Sequence, residues 1–186
     1  MGINLHSILL LFFNLLPFSA PTDTITPSQP LPDGQLLISV AGTFSLGFFT
    51  AGDPTKRYVG VWYANDLHAT KVLWVANRKT PVSGTDSVLS LTADGNLTLL
   101  DGAAGKPSWS TNTSGLNNPS LKLLKSGNIV LAAGSTISWQ SFDFPTDVLL
   151  PGMEIGYRLK LTASPDMVVW NKSTSEYRTG PWDDGS

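Results

Sequence analysis

The chain has no cysteine among its 186 residues, so disulfides, thiolate nucleophiles and cysteine metal sites are excluded. Histidine is nearly as scarce, with only His6 and His68. His6 falls in an apolar leader, so a histidine-dependent triad or zinc site would hang on His68 alone. A lone histidine is ordinarily a surface residue, and no metal site is expected. The acidic residues are scattered, and no paired carboxylates or nucleophile–base constellation stands out, so neither catalysis nor a cofactor is expected. Charged residues make up 14% of the chain against a usual ~25%. With a net charge of −2 and a pI near 5.5, it lacks the basic footprint that nucleic acid or an anionic membrane would need.

Long apolar runs are missing too. The apolar centre of the leader, Ile8 to Leu16, falls short of the ~20 residues of a membrane span. It sits in MGINLHSILLLFFNLLPFSA, which ends in small residues and reads as a secretory signal over 1–20, although it carries no Lys or Arg. No later stretch approaches membrane length, so the expected product is extracellular. Secretion would expose three N-glycosylation sequons, at Asn96, Asn112 and Asn171. Asn112 lies in the loop-like TNTSGLNNP and is the safest of them.

What is present is turn chemistry and periodicity. Gly (17) and Pro (13) supply 30 of 186 residues, above the average of about 12%, while hydrophobic residues at 41% are ordinary. In SVLSLTADGNLTLLDG, Ser87 to Gly102, apolar and small polar residues alternate on both sides of Asp94-Gly95-Asn96. Period-2 alternation marks half-buried strands, and Asp-Gly between two such runs marks a hairpin. Strands are expected from Val88 to Thr92 and from Asn96 to Leu100. The stretch returns 32 residues later as PSLKLLKSGNIVLAAG, Pro119 to Gly134. Each copy precedes a strand-like segment with a tryptophan, Trp109 or Trp139.

An earlier copy is GTFSLGFF, then the expected loop TAGDPTKR, then YVGVWY and KVLWVAN, which holds Trp74. The three tryptophans are spaced 35 and 30 apart, which suggests that each copy sends its indole to a shared centre. Thr22 to Asp33 lacks strand periodicity and reads as a leader before the first strand. After Phe142 the repeat stops, and at most one or two further strands are expected.

Along the second hairpin, Thr92, Asp94, Asn96, Thr98 and Leu100 should face outward, with Leu91, Ala93, Gly95, Leu97 and Leu99 toward the core. An acidic acceptor beside an amide with both donors and acceptors suits sugar hydroxyls. Asp-Gly-Asn is equally what a hairpin turn prefers for conformational reasons alone. Both readings stay open.

The chain is identified as resembling the bulb-type (monocot mannose-binding) lectin module of plant S-locus, or G-type lectin, receptor-like serine/threonine kinases. GTFSLGFF, RYVGVWY, VLWVANR, LTADGNLTLLDG, SWSTN, SGNIVL and above all SWQSFDFPTDVLLPGM carry the resemblance. It implies an all-β fold, a β-prism of three four-stranded antiparallel sheets with pseudo-threefold symmetry, over 21–152. Residues 153–186 then resemble a shortened, poorly ordered remnant of the S-locus glycoprotein region. The resemblance implies a truncated relative without membrane span or kinase, located in the apoplast.

In that family each sheet can carry a mannose site written Q-x-D-x-N-x-V-x-Y. The second copy keeps Asp94 and Asn96, with Thr92, Thr98 and Leu100 in place of Gln, Val and Tyr. The third keeps Asn128 and Val130, with Leu124, Ser126 and Ala132 as replacements, and the first has no match. The resemblance therefore implies mannose-type glycans as partners, at degraded sites. At about 0.5–1.5 kcal/mol per net hydrogen bond, the better site loses about 2–3 kcal/mol, and a glycan on Asn96 would compete with any ligand. The alternative is a protein-interaction ectodomain fragment that binds receptor ectodomains or peptide ligands through exposed aromatics such as Trp62 and Tyr63.

Overall fold

The computed structural model describes residues 22–146 and 148–153, with the backbone of 157–158, 168–171 and 174–178 beyond. The expected leader, 1–20, and most of 153–186 lie outside the described residues. Thirteen strands come first: β1 (Thr24–Ile25), β2 (Leu31–Pro32), β3 (Leu36–Ile38), β4 (Phe44–Ala51), β5 (Asp53–Tyr63), β6 (Val72–Val75), β7 (Val82–Ser83), β8 (Val88–Leu91), β9 (Leu97–Asp101), β10 (Lys106–Ser110), β11 (Ser120–Leu123), β12 (Ile129–Ala133) and β13 (Thr136–Gln140). A single 3-10 turn, Ser141–Asp143, follows. Among the described residues, no helix is long and apolar enough to cross a membrane.

The strands form three antiparallel sheets, as the threefold repeat predicts. The first has the order β3-β4-β5-β6, with β7 pairing β5 at Lys56 and Arg57. The second is β2-β8-β9-β10 and the third β1-β11-β12-β13. Three short strands beyond, β14 (Tyr157–Arg158), β15 (Val168–Asn171) and β16 (Thr174–Arg178), make a further sheet. That is one strand more than the tail's pattern suggests.

Alternation sets the register. Leu89 faces Leu99 and Leu91 faces Leu97 in the second sheet, and Leu121 faces Leu131 and Leu123 faces Ile129 in the third. All eight are buried, and they join Leu46, Val59 and Val61 of the first sheet in one core. At its centre the three indoles meet edge to face. Trp74 and Trp109 have ring centroids 6.3 Å apart, Trp74 and Trp139 5.9 Å, and Trp109 and Trp139 6.0 Å. Aromatic pairs favour such tilted contacts at this separation. The chain after β13 closes over the hub. Trp74 Nε1 donates to the Phe144 carbonyl at 2.9 Å, and the Phe144 ring stacks on Trp139.

Two segments differ from their sequence pattern. The stretch 22–33 is not merely a leader, because β1 pairs with β11 and β2 with β8, completing two of the sheets. Two-residue strands are too short to show a period. TAGDPTKR is likewise not a loop. β4 runs through Ala51, Gly52 turns at φ +76°, and β5 begins at Asp53.

The outer face of the first sheet is a small core of its own. Phe49, Trp62 and Ala69 are buried there against Tyr58, Val72 and Val75. Gly60 makes the room. A Cβ at that position would lie 2.8 Å from the Phe49 ring and 2.6 Å from the Trp74 carbonyl oxygen. Trp62, expected as an exposed aromatic, is therefore only 4% exposed.

One ion pair joins the first two sheets. Arg57 on β5 donates through Nε to Asp33 Oδ2 at 2.7 Å and through its second arm to Oδ1. The Asp33 side chain is 2% exposed, so removing its partner strands a buried charge. Arg57→Met is expected to cost about 3–5 kcal/mol, and Asp33→Leu combined with Arg57→Met to recover most of that loss. Urea denaturation of the two variants checks both.

Candidate functional site

The two asparagine hairpins close in the same way. Thr92 N donates to Asn96 O at 2.9 Å and Gly95 N to Thr92 O at 3.0 Å, while Leu124 N donates to Asn128 O at 2.8 Å and Gly127 N to Leu124 O at 3.0 Å. Gly95 and Gly127 sit at φ +96° and +85°, a region that L residues rarely enter. Because Ala93-Asp94-Gly95 forms the turn, the alternation stops short of it. Ala93, expected toward the core, is exposed.

All three sheets then use one device on the middle strand. A polar side chain just past each hub tryptophan accepts a backbone N–H, the first of β9 and of β12 and one midway along β5. Val59 N donates to Asn77 Oδ1 at 2.9 Å, Leu97 N to Thr111 Oγ1 at 3.0 Å, and Ile129 N to Ser141 Oγ at 2.9 Å. In the second and third sheets the same hydroxyl donates onward to the hairpin asparagine. Thr111 Oγ1 reaches Asn96 Oδ1 at 3.2 Å, and Ser141 Oγ reaches Asn128 Oδ1 at 3.1 Å. Thr111 and Ser141 each follow a tryptophan by two residues and Asn77 by three, and that spacing is the signal by which a sequence reading could have found them.

The candidate residues part company here. Asn128 is 7% exposed and heavily engaged. Its Oδ1 also accepts the Phe142 N–H at 3.2 Å, and its Nδ2 donates to Gln140 Oε1 at 2.8 Å. Gln140 Nε2 in turn donates to Asp143 Oδ1 at 3.0 Å. Gln140 and Asp143 were not singled out by their positions in the sequence. Val130, on the outer face between Lys122 and Gln140 in the ladder, is 8% exposed.

In the second sheet, Thr92, Asp94 and Asn96 come together at the turn. Thr92 Oγ1 donates to Asp94 Oδ1 and accepts the Asn96 N–H at 2.9 Å. Asp94 is exposed and Asn96 half-buried. Thr98 lies on the same outer face but is only 7% exposed. Leu100, flanked in the ladder by Val88 and Pro107, is 37% exposed. The arrangement presents a carboxyl acceptor and a carboxamide at a hairpin turn, with Thr98 and Leu100 further along the same outer face, a set able to hold hydroxyls and cover a C–H face.

Elsewhere, apolar side chains project from two loops and the last residue of β5 at one end of the first sheet. Val40 is 81% exposed, Leu67 86% and Tyr63 40%. The Leu67 loop is held by Asp66, whose Oδ2 accepts from Lys71 N and Thr70 Oγ1, each at 2.9 Å. Hydrogen bonds from the Lys71 and Thr70 backbone hold that carboxyl below the usual aspartate range. Among the described residues, no group of three or more acidic or histidine side chains could hold a metal ion.

Residues 71–171 match the family described as D-mannose binding lectin. The chain is 40% identical to the G-type lectin S-receptor-like serine/threonine-protein kinase CES101 of Arabidopsis thaliana, over 80% of this chain and 18% of that protein. It is 34% identical to the receptor-like serine/threonine-protein kinase SD1-8 of the same plant, over 94% of this chain and 24% of that one. The chain thus spans about a quarter or less of the length of these relatives. Its fold is similar to that of the Japanese Marasmius oreades lectin, with a TM-score of 0.51 and 22% identity over 64% of this chain and 90% of the other.

The two asparagine hairpins make opposite demands on mutation. Asn128→Ala strands the Phe142 N–H and the Ser141 hydroxyl, and at about 1–3 kcal/mol for each unsatisfied buried group it should destabilise the fold by at least 2 kcal/mol. Asp94→Ala, at an exposed turn, should stay within ~0.5 kcal/mol of the parent. Paired guanidinium unfolding curves test the contrast.

Proposed function

The chain belongs to the D-mannose binding lectin family, and from that premise we propose that it is an extracellular carbohydrate-recognition module for mannose-type glycans. On this reading recognition, not catalysis, is its business, and the kinase activity named for its relatives resides in parts of those proteins that the match does not reach. The reading rests on one observation: the Thr92–Asp94–Asn96 turn is the one place among the candidates where polar groups suited to sugar hydroxyls stand open, with Thr92 and Asp94 exposed and Asn96 half-buried. Asp94 accepts from adjacent hydroxyls, the Asn96 carboxamide adds a donor, and Leu100 lies beside them on the outer face. Asn128 and Val130 make a poorer site, because bonds within the fold consume the amide and its neighbours cover the valine. The signal at 1–20 and the domain bounds 21–152 belong to the same proposal, with delivery to the apoplast.

A second reading, a protein-interaction ectodomain, is favoured by a separate observation. Val40, Tyr63 and Leu67 expose apolar surface at one end of the first sheet, where Ala64 N donates to Thr43 O and brings the two loops together. There the partner would be a receptor ectodomain or peptide, and no sugar would compete with it.

Hydrogen bonds to a charged group contribute about 1.5–3 kcal/mol each, so Asp94→Ala should weaken binding to immobilised mannan by more than tenfold. Asn128→Ala, where it folds, should weaken it far less. Mannan retention unchanged in Asp94→Ala would end the site assignment. Capture of plant extracellular protein that survives free mannose but fails in Leu67→Asp would favour the second reading instead.

A further inference from the structure

We propose that Asn112 carries an N-linked glycan and that this glycan lies over the outer face of the second sheet, shielding the Asp94 turn. The proposal rests on the secretory route inferred above. Of the three sequons, the structure separates this one from the others. Asn96 is half-buried at a hairpin turn, and the hydroxyl-bearing third residue of its sequon, Thr98, is buried on β9. Asn171 ends β15, and its side chain lies outside the described residues. Asn112 is exposed, as is Ser114 of its sequon, in the strand-free segment 111–119.

Its direction follows from three contacts. Ser110 pairs with Thr98 across the ladder, so the two side chains share a face of the sheet. Ser110 Oγ donates to Asn112 Oδ1 at 2.7 Å, which brings the asparagine amide to that same outer face. The carboxamide oxygen is thereby held, and Nδ2, the atom that takes the glycan, is left to project. The backbone at Asn112 is in the left-handed region, at φ +54°, a conformation that asparagine tolerates better than most residues.

The loop cannot swing the glycan away from the turn. Thr111 Oγ1 donates to Asn96 Oδ1 at 3.2 Å, and Thr113 Oγ1 donates to the Gly95 carbonyl at 2.5 Å. Leu116 N donates to the Asp94 carbonyl at 2.9 Å. Residues on both sides of Asn112 are thus fastened to the turn that carries Asp94 and Asn96. A glycan rooted between them emerges at the edge of the candidate site, beside Asn96 and the Thr98–Ser110 pair. The chain's own sugar would then limit access to the surface that recognises sugars.

The experiment uses the full chain secreted from plant cells, beside Ser114→Ala, which removes the sequon and keeps the Ser110–Asn112 bond, and Asn112→Gln as a second variant. Peptide mass spectrometry reads occupancy, and carbodiimide labelling reads the accessibility of the Asp94 carboxyl. The expected result is an occupied Asn112 in the parent and labelling of Asp94 several-fold faster in both variants. An unoccupied Asn112, or equal labelling in parent and variants, overturns the proposal. The lectin reading fails by a different sign, a Ser114→Ala protein that is secreted and folded yet binds no mannan.

Discussion

The structure depends on three indoles meeting at one point. A four-stranded sheet with one apolar face cannot bury that face alone, and three such sheets can do so only by turning their apolar faces inward. Trp74, Trp109 and Trp139 meet at about 6 Å with each pair tilted by 67–76°. Edge-to-face geometry lets each ring present an edge to one neighbour and a face to another. That arrangement closes for three members, so each sheet is held in place by both of the others. The segment after β13 belongs to the same unit, since its Phe144 carbonyl accepts from Trp74 Nε1.

Closure around the hub sets a second demand. Just past each tryptophan strand the chain meets the middle strand of its sheet, and a backbone N–H there has to be satisfied. Asn77, Thr111 and Ser141 do this, and Ser141 draws Asn128 into the fold so fully that the amide has little left to offer a ligand. In the third sheet the asparagine that could contact sugar has therefore become a structural residue. In the second sheet Thr111 takes only the carboxamide oxygen of Asn96, and the Asp94 carboxyl accepts from Thr92 alone among the described hydrogen bonds. The same motif at two places thus differs in how far the fold uses it, according to how many bonds the neighbouring turn asks of it.

The repeat was legible because its signals are local. Asp94-Gly95-Asn96 and Ser126-Gly127-Asn128 each put glycine where a positive φ is needed, and the alternating leucines on both sides give the register directly. The tryptophan spacing revealed the hub. What stayed hidden was whatever needed a partner distant in the chain. β1 and β2 owe their existence to β11 and β8, not to any pattern of their own. The burial of Trp62 depends on space left by Gly60 and on Phe49, and nothing in YVGVWY tells which face of a strand is covered. The commitment of Asn128 required Gln140 and Ser141, twelve and thirteen residues away. Sequence shows which atoms a side chain carries; only the fold shows which of them are already in use.

The three outer faces of the prism have consequently diverged. The first is packed with Phe49 and Trp62, and the third is tied down through Asn128 and Gln140. On the reading proposed here, the second alone keeps its sugar-facing groups open, with Asp94 exposed at the turn where the third sheet exposes Lys125. Equivalent sites on one rigid body reinforce one another, because the first contact raises the effective concentration of the rest by orders of magnitude. A chain with a single open face gains nothing from its own symmetry. On that reading strong recognition would come from several copies of the site brought together.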